Sequence, residues 1–465
     1  MSVDRKLCCS ATVLNRMLRV VVPIGVLLAA TGAAASPAAA TPNTVDPFYA
    51  PPADYADATP GSILRIRPIQ ASYMQLIPMP VQAWQLLYRT TGADGQPYAA
   101  VTTVLRPAHA TQPTAILSFQ NMTDAIAPQC MPSQDLQQGA VPWFDPSKPG
   151  PIQLSTMANE TPMIAAALAR GWAVSVPDTG GIDNHFESPH EPGYVVLDGI
   201  RAAENFAPAG LPGPGTRAVL WGYSGGAITS AWAAQEQPHY APELNLAGAA
   251  LGGPVGDMGT GIRAANGTPV GGALVPVAMM GMMQDSPEFT AALDRYLTPE
   301  GRQRIAAATN NCAPQNLLSN MGFDAGQFLT APLDDVLADP VISAALRERN
   351  LGGAAPTVPL YVYNAIDDEG SAITGVDRMV SAYCDAGTAV TYRREQTDYP
   401  VSGHTGEWFA GAPAALAWLQ QRAENPVEQT GCDIRSVPAT IVDPAALDSL
   451  ATGIIGGPIR VMLGY

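Results

Sequence analysis

Positive charge is scarce in this chain. Charged residues of both signs make up only 14% of its 465 residues, and 24 lysines and arginines stand against 40 aspartates and glutamates, for a formal net charge of −16. An acidic surface repels nucleic acid and anionic membranes, so we expect no nucleic-acid partner and favour neutral or cationic ones. The hydrophobic fraction of 47% is high enough to bury a large core, which excludes a largely disordered chain.

The chain also lacks a hydrophobic run long enough to cross a bilayer. The apolar run at 20–30 is much shorter than the roughly 20 residues that a spanning helix needs. Arg16 and Arg19 precede this run, and small residues with several A-x-A cleavage sites follow it at 31–40. This order is typical of a secretory signal. We therefore expect residues 1–40 to be removed, and the mature protein to be secreted without stable insertion into a membrane.

Cysteine is rare as well. The chain has six, and two of them, Cys8 and Cys9, fall in the predicted signal. The other four show no C-x-x-C spacing, so a zinc site is not expected. An even number of cysteines in an exported chain favours two disulfides, and four cysteines allow three pairings. We predict the pairs Cys130–Cys312 and Cys384–Cys432.

The order of apolar segments is that of an α/β protein. Alternating segments within 62–105 are typical of antiparallel strands. Further along, short apolar runs are separated by segments of helical period, such as 163–169 and 195–206. That alternation predicts a mostly parallel sheet with helices on both faces. The predicted strands lie at 115–119, 173–176, 217–221, 246–251, 360–363 and 390–393.

A stretch of about a hundred residues before the strand at 360–363 breaks the alternation. We interpret 255–350 as a helical cap inserted between two parts of the core, 41–254 and 351–465. Its predicted helices lie at 287–296, 299–308 and 341–349. Two roles are open for its methionines, a wall for an acyl chain or the core of the cap itself. These methionines are Met279, Met280, Met282 and Met283.

Gly222-Tyr223-Ser224-Gly225-Gly226 is the only G-x-S-x-G in the chain. It stands between the predicted strand at 217–221 and a small-residue segment that can be helical. This is the context of a nucleophile elbow, in which the serine occupies strained backbone and the glycines avoid collisions of a Cβ with the neighbouring strand or helix. The motif predicts acyl transfer through a covalent serine ester.

A nucleophilic serine needs an imidazole to take its proton and a carboxylate to orient that imidazole. In α/β hydrolases these residues follow in the order serine, acid, histidine. Only His239 and His404 come after Ser224. No acid-bearing strand separates His239 from the serine, which leaves His404, predicted in a glycine-flanked loop before a helix at 414–421, as the base.

The acid should lie on the loop that leaves the strand at 360–363. Three carboxylates occur there together, and a fourth lies in a predicted helix just beyond. This reasoning alone does not choose among them. They are Asp367, Asp368, Glu369 and Asp377.

Several stretches besides the elbow carry a likeness to a known family. They are Asp46-Pro47-Phe48-Tyr49, Pro60-Gly61-Ser62-Ile63-Leu64-Arg65, Tyr363-Asn364-Ala365-Ile366-Asp367-Asp368-Glu369 and Ser402-Gly403-His404. With them the chain resembles, over most of its mature length, the secretory lipase family of α/β hydrolases, known from fungal lipases and actinobacterial relatives. The resemblance implies an α/β-hydrolase fold. It also implies Asp368 as the acid, because the family uses the aspartate of an Asp-Glu pair at this place. Gly370-Ser371-Ala372 departs from the apolar residues and proline that relatives usually have there.

The oxyanion of the tetrahedral intermediate needs two backbone N–H donors. Gly225, the residue after the serine, supplies one by the geometry of the elbow. The second should come from the loop after an early core strand, at 118–124. The resemblance, through an aspartate upstream of a cysteine in that loop, points to Asp124 ahead of Cys130. The alternative is that Asp124 only forms a turn.

Two further patterns carry no site in our interpretation. The segment 183–191 holds His185, His190 and three acids, but a solvated loop near the mouth of the cleft is a better interpretation than a metal site. The segment 252–256 is glycine-rich but lacks the G-x-G-x-x-G order of a dinucleotide site. We therefore expect neither a metal nor a cofactor.

Together these observations predict a secreted serine esterase or lipase that hydrolyses carboxylic esters, with an ester or lipid as its substrate. Two alternatives stay open. The same site could serve an acyltransferase or a peptidase, or the fold could be a non-catalytic scaffold used for binding. The sequence leaves the oligomeric state open.

Overall fold

The structure is a computed structural model that describes residues 46–108, 110, 112–140, 144, 154–425 and 427–464. The predicted signal at 1–40 lies outside these residues. Among the described helices, none combines the length and the apolar composition that a membrane crossing requires.

The described residues form twelve strands, and ten of them make one sheet. The strands are β1 (Ile63–Ile69), β2 (Ser72–Tyr73), β3 (Ile77–Pro78), β4 (Val81–Thr91), β5 (Pro97–Pro107), β6 (Ile116–Gln120), β7 (Ala173–Pro177), β8 (Ala218–Tyr223), β9 (Leu246–Gly252), β10 (Leu360–Ala365), β11 (Val390–Glu395) and β12 (Cys432–Val437). Their order in the large sheet is β1-β4-β5-β7-β6-β8-β9-β10-β11-β12. From β7 to β12 all neighbours are parallel, while β1, β4, β5 and β7 pair antiparallel.

The described helices complete the α/β architecture. They are α1 (Pro132–Asp135), α2 (Met157–Leu168), α3 (Glu191–Glu204), α4 (Gly225–Tyr240), α5 (Met258–Ala265), α6 (Gly271–Asp285), α7 (Pro287–Asp294), α8 (Pro299–Ala308), α9 (Ala313–Asn320), α10 (Leu333–Leu337), α11 (Pro340–Glu348), α12 (Ile373–Asp385), α13 (Gly403–Glu424), α14 (Pro444–Ser449) and α15 (Gly456–Met462). A turn of π-helix, Leu450–Ile455, joins the last two.

Alternate residues of the central strands pack against helices on opposite faces of the sheet. Ile116 and Leu220 belong to a buried cluster with α3, α4 and α12. Leu117 and Trp221 belong to another, with α2 and α13. The period of two along a strand sends neighbouring side chains to opposite faces, so a strand buried on both faces becomes an uninterrupted apolar run. The predicted fold class is confirmed.

Between β9 and β10, helices α5 to α11 form a helical segment with a hydrophobic cluster of its own. Met279, Met280 and Met282 are buried in this cluster, and Met283 packs at its edge. Of the two roles considered for the methionines, the structure therefore favours the core of the insertion over the wall of a substrate cavity.

Two disulfides have the predicted pairing. Cys130 is joined to Cys312, and Cys384 to Cys432. The first connects the loop after β6 to the start of α9, and so ties the helical segment to the loop where Asp124 lies. The second connects the end of α12 to β12, the edge strand.

The prediction for the start of α13 was wrong. His404 was expected in a loop ahead of a helix at 414–421, but α13 begins at Gly403 and places His404 in its first turn. Ser402 caps this helix, its Oγ accepting the N–H of Thr405 at 3.0 Å. Pro413 lies inside the helix and masked its first ten residues in the sequence, because proline usually marks a helix start or a break.

The turn between β8 and α4 has the geometry of an elbow. Ser224 has φ of 52° and ψ of −121°, a backbone conformation that residues other than glycine rarely adopt. The backbones around it approach so closely that no Cβ fits: one on Gly222 would lie 2.1 Å from the carbonyl oxygen of Gly226, and one on Gly226 would lie 2.1 Å from that of Gln120. The glycines at these positions therefore allow β6, β8 and α4 to pack together at the serine.

We expect Gly226→Ala to lower the free energy of unfolding by about 3 kcal/mol or to prevent folding, since the added methyl group meets a backbone oxygen that cannot move aside. Gly215→Ala is the matched control. Gly215 is exposed just before β8 with open space around its Cβ position, so its free energy of unfolding should change by about 0.5 kcal/mol or less. Urea unfolding measures both, and equal midpoints for the two variants would contradict this account of the elbow.

Candidate active site

Three of the predicted site residues meet at one edge of the sheet. Ser224 Oγ lies 2.8 Å from His404 Nε2, and His404 Nδ1 lies 2.9 Å from both carboxylate oxygens of Asp368. Ser224 follows β8, Asp368 follows β10, and His404 lies in the first turn of α13. All three residues are buried. A neutral imidazole that donates from Nδ1 to Asp368 can accept the serine hydroxyl proton at Nε2.

The geometry distinguishes among the four carboxylates that the sequence left open. Only Asp368 contacts the imidazole. Asp367 is exposed. Glu369 instead accepts the hydroxyl of Ser402 and the N–H of His404, the latter at 3.3 Å. Asp377 pairs with Arg394 at 3.0 Å.

The loop that departs from the family pattern holds Asp368 in place. Asp368 Oδ1 accepts the N–H groups of Gly370 at 2.8 Å and of Ser371 at 2.6 Å. A Cβ on Gly370 would lie 2.9 Å from His404 Cγ, so the glycine lets the loop pack against the imidazole. Ser371 also donates from Oγ to the carbonyl of Pro254. Gly370 and Ser371 thus hold the carboxylate of Asp368 in contact with His404.

His404 lies in an acidic environment. Burial lowers the pKa of the imidazole, but the carboxylates of Asp368 and Glu369, with a smaller contribution from Asp124, outweigh burial and raise it above its ordinary value. Tyr223 binds the backbone of this residue, donating from Oη to the carbonyl oxygen of His404 at 2.6 Å. This environment favours the imidazolium that a general base becomes when it takes a proton.

Gly225 and Asp124 lie next to each other beside the serine. Gly225 is the first residue of α4, so its N–H has no acceptor within the helix. A Cβ on Gly225 would lie 3.3 Å from Asp124 Oδ1. A second backbone donor at Asp124 stays a prediction. In the structure that N–H donates to the carbonyl oxygen of Met122 at 2.7 Å, and the carboxyl of Asp124 lies beside Gly225.

Burial raises the pKa of the Asp124 carboxyl to about 7, with His404 opposing the shift. Around neutral pH a large share of this carboxyl is therefore uncharged and can donate an O–H. Asp124 and Thr123 both have positive φ, of 48° and 58°, which is uncommon for residues other than glycine.

Residues that the sequence did not reveal hold this loop in its conformation. Asn121 Oδ1 accepts the N–H of Thr123 at 2.9 Å, and Asn121 Nδ2 donates to Thr156 Oγ1 at 2.9 Å and to Glu160. All of them are buried. No local motif marks such support, because Thr156 and Glu160 come from α2 and its cap, more than thirty positions along the chain.

A cleft with about 480 Å³ of space, part of it open to solvent, lies beside the serine. Core residues Asp124, Ser224, Gly225 and Ile228 form one part of its wall. The helical segment forms another, and its contribution is apolar: Met258, Ile262, Leu274, Val275, Val277 and Ala278. Helices α5 and α6 thus cover the site, while Met279, Met280, Met282 and Met283 of α6 are not among the residues that line this cavity.

Glu187 also lines this cavity, which the sequence did not indicate. Burial, together with the nearby Asp124 carboxylate, raises the pKa of Glu187 to about 8. The histidines of the same loop point elsewhere: His185 pairs with Glu191 at 2.8 Å, and His190 with Glu236 at 2.7 Å. Within the described ranges, no three acids, histidines or cysteines are grouped as metal ligands.

The chain is similar to known proteins in sequence and in fold. A family model described as Secretory lipase matches residues 148–431. A protein named Probable inactive lipase MT1628, from Mycobacterium tuberculosis, is 40% identical over 411 residues, which are 87% of this chain and 88% of the relative. Lipase A of Arthroderma benhamiae is 33% identical over 427 residues, covering 90% of this chain and 88% of the relative.

Among solved structures, Candida antarctica lipase A in its closed state is similar, with a TM-score of 0.75 and 25% sequence identity, over 89% of this chain and 94% of that one. The family model covers more than half of the chain, and the relatives cover most of it. The chain therefore belongs to the secretory lipase family, and it is an ester hydrolase with the α/β-hydrolase fold.

Proposed function

We propose that this protein is a secreted serine esterase or lipase in which Ser224, His404 and Asp368 form the catalytic triad. The observation that carries the proposal is the continuous set of contacts from Ser224 Oγ to His404 Nε2 and from His404 Nδ1 to Asp368. A buried serine in strained backbone, aligned with an imidazole whose other nitrogen faces a buried carboxylate, has the arrangement that nucleophilic acyl transfer requires.

The reaction proceeds in two halves. Ser224 Oγ attacks the ester carbonyl carbon while His404 takes the hydroxyl proton, and Asp368 stabilises the imidazolium. Collapse of the tetrahedral intermediate breaks the bond to the alcohol oxygen, which receives the proton from His404, and leaves an acyl ester on Ser224. A water molecule that His404 deprotonates then attacks this ester, and the carboxylic acid departs. No step requires a metal or a cofactor.

The oxyanion of each intermediate is bound by the N–H of Gly225 and, in this proposal, by the protonated carboxyl of Asp124. A buried carboxylic acid that stays neutral near pH 7 can act as a hydrogen-bond donor in an oxyanion hole. The engaged N–H of Asp124 and its raised pKa both support this role.

The apolar wall of the cavity supports an acyl chain as the part of the substrate that it holds. The walls from α5 and α6 present aliphatic side chains close to Ser224. Burial of each methylene of an acyl chain there contributes about 0.8 kcal/mol to binding. The family, the two disulfides and the predicted signal at 1–40 support export from the cell.

A non-catalytic role is the second candidate, and a specific observation favours it. The relative from Mycobacterium tuberculosis is named a probable inactive lipase. Here, however, the serine, histidine and aspartate are all present and in contact, so the hydrolase proposal stands first. An acyltransferase or a peptidase would use the same residues, and the acceptor or the bond cleaved distinguishes them.

We expect Ser224→Ala to lower kcat on p-nitrophenyl esters by a factor of about 10⁴ or more and to abolish covalent labelling by a fluorophosphonate. Ser319→Ala is the control, since Ser319 is exposed on α9 and should leave both readouts unchanged. Absence of an adduct on the intact enzyme would favour the non-catalytic alternative. Turnover that survives in Ser224→Ala would refute the triad.

The pH profile tests the role of Asp124. Activity should rise as His404 loses its proton, and fall above about pH 7 as Asp124 ionises and stops donating. Asp124→Asn keeps a donor that does not titrate, so the alkaline fall should disappear. Asp124→Ala should lower kcat by a factor of about 10² to 10³ at all pH values.

Glu187→Gln is the control for this experiment, because Glu187 also titrates in the cavity, at about 8. If Glu187→Gln removes the alkaline fall and Asp124→Asn retains it, the proposed role of Asp124 is wrong.

A further inference from the structure

Two buried carboxyl groups lie near the start of α13, the helix that carries His404. Glu395 is the last residue of β11, and Glu407 lies on α13 three positions after His404. Each is 0% exposed. Throughout the described ranges, neither forms an ion pair with an arginine, lysine or histidine. Both carboxyls approach the same hydroxyl, that of Tyr399, and two charged carboxylates this close together without a cation would be strongly destabilising.

The hydrogen bonds of the two groups are unequal. Glu395 has three donors: Tyr399 Oη bonds to Oε1, while the N–H and Oγ1 of Thr440 bond to Oε2 at 2.7 and 2.9 Å. Glu407 Oε2 is 3.4 Å from Tyr399 Oη, and its Oε1 has no partner. Glu395 thus accepts hydrogen bonds as a carboxylate does, whereas Glu407 lacks the donors that a carboxylate needs.

Acids and tyrosines face Glu407 from every element packed against it. Besides Glu395, Asp368 acts on it from the loop after β10. A charge on Glu407 would raise the pKa of four nearby tyrosines, Tyr223, Tyr361, Tyr363 and Tyr399. Burial in first place, and the Glu395 carboxylate in second, raise the pKa of Glu407 well above its usual value. These surroundings keep the proton on Glu407.

We propose that Glu407 and Glu395 share one proton in a hydrogen bond that fixes the first turn of α13 against the end of β11 and so positions His404. Glu407 is a positioning residue in this view, because it does not touch the reacting atoms. The catalytic part of the inference rests on the proposed function of His404, while the shared proton does not.

The position of the pair explains how it acts on the histidine. Residues three apart lie on one face of a helix, so Glu407 fixes the face that carries His404. The backbone of His404 is held by Tyr223, whose ring lies among the aromatic side chains around Glu407. Gly411 and Gly406 allow the rings of Tyr363 and Tyr399, respectively, to pack against α13. A shift of this turn by 1 Å would misalign Nε2 and Ser224 Oγ, which costs about 10²-fold in rate.

The dependence of stability on pH tests the shared proton. Above about pH 4.3, the ordinary pKa of a glutamate, the unfolded chain loses this proton while the folded chain retains it. The stability that Glu407 contributes is therefore fully present below that pKa and declines as pH rises. Glu407→Gln carries no such proton, so its Tm relative to the wild type should increase steadily from pH 4 to pH 8.

Glu424→Gln is the matched control, on an exposed position of the same helix, and its Tm difference from the wild type should stay constant. Buried acids outside the pair are common to the variant and the wild type and cancel in the comparison. A Tm difference for Glu407→Gln that is also constant over this range would overturn the shared proton.

Kinetics test the positioning. Glu407→Asp withdraws the carboxyl by one methylene, and we expect kcat to fall tenfold or more, with KM within twofold and the rate of fluorophosphonate labelling falling in parallel. Glu407→Gln, which can still donate to Glu395, should recover most of this loss. Measurements are made below the Tm of each variant, so that loss of folding does not enter.

Unchanged kcat in Glu407→Asp would overturn the positioning role. This failure is distinguishable from failure of the proposed function, because only the latter leaves ester turnover intact in Ser224→Ala. The pH dependence of Tm reports on the pair in either case.

Discussion

The imidazole of His404 connects parts of the chain that are far apart in sequence. Its partners, Ser224 and Asp368, are 180 and 36 positions away. The parallel strands β8, β10 and β11 all end on the same side of the sheet. The segments that follow them therefore lie close together in space.

The geometry at this edge depends on small residues as much as on reactive ones. The glycines of the elbow let β6, β8 and α4 approach within contact distance, and Gly370 lets the acid loop pack on the imidazole. Ser224, Thr123 and Asp124 all have positive φ, so strain is concentrated beside the reacting atoms. The surrounding packing and the bonds of Asn121 maintain that strain.

The acidic composition of the chain extends to its interior, where several carboxyl groups are buried. The carboxyl groups that face His404 stabilise positive charge on it, and burial raises the pKa of one of them, Asp124, as it does that of the more distant Glu407. Asp124 and Glu407 thus act as neutral hydrogen-bond donors in our proposals, a role that neither lysine nor arginine could fill without introducing a charge. The scarcity of basic residues noted in the sequence leaves these acids without competing ion pairs.

Local patterns in the sequence predicted most of the sheet, because apolar runs buried on both faces are visible without knowledge of their neighbours. The exception was β12, which is mostly exposed at the edge of the sheet and has no such run. The helix of His404 was predicted to start at 414 instead of Gly403 for another local reason, the proline within it. In both cases the tertiary structure overrides a weak local signal, through pairing with β11 and through packing of α13 on the sheet.

By itself the sequence determined the elbow around Ser224, the choice of His404 by its order in the chain, and the expectation that four cysteines form two disulfides. These depend on backbone conformation, on chain order and on counting, which are properties of the linear chain. The tertiary structure decided which carboxylate contacts the imidazole, that the carboxyl of Asp124 lies beside Gly225, and that Glu395 and Glu407 both approach the hydroxyl of Tyr399. Those contacts depend on differences of an ångström or two between packed elements, and no local pattern encodes such distances.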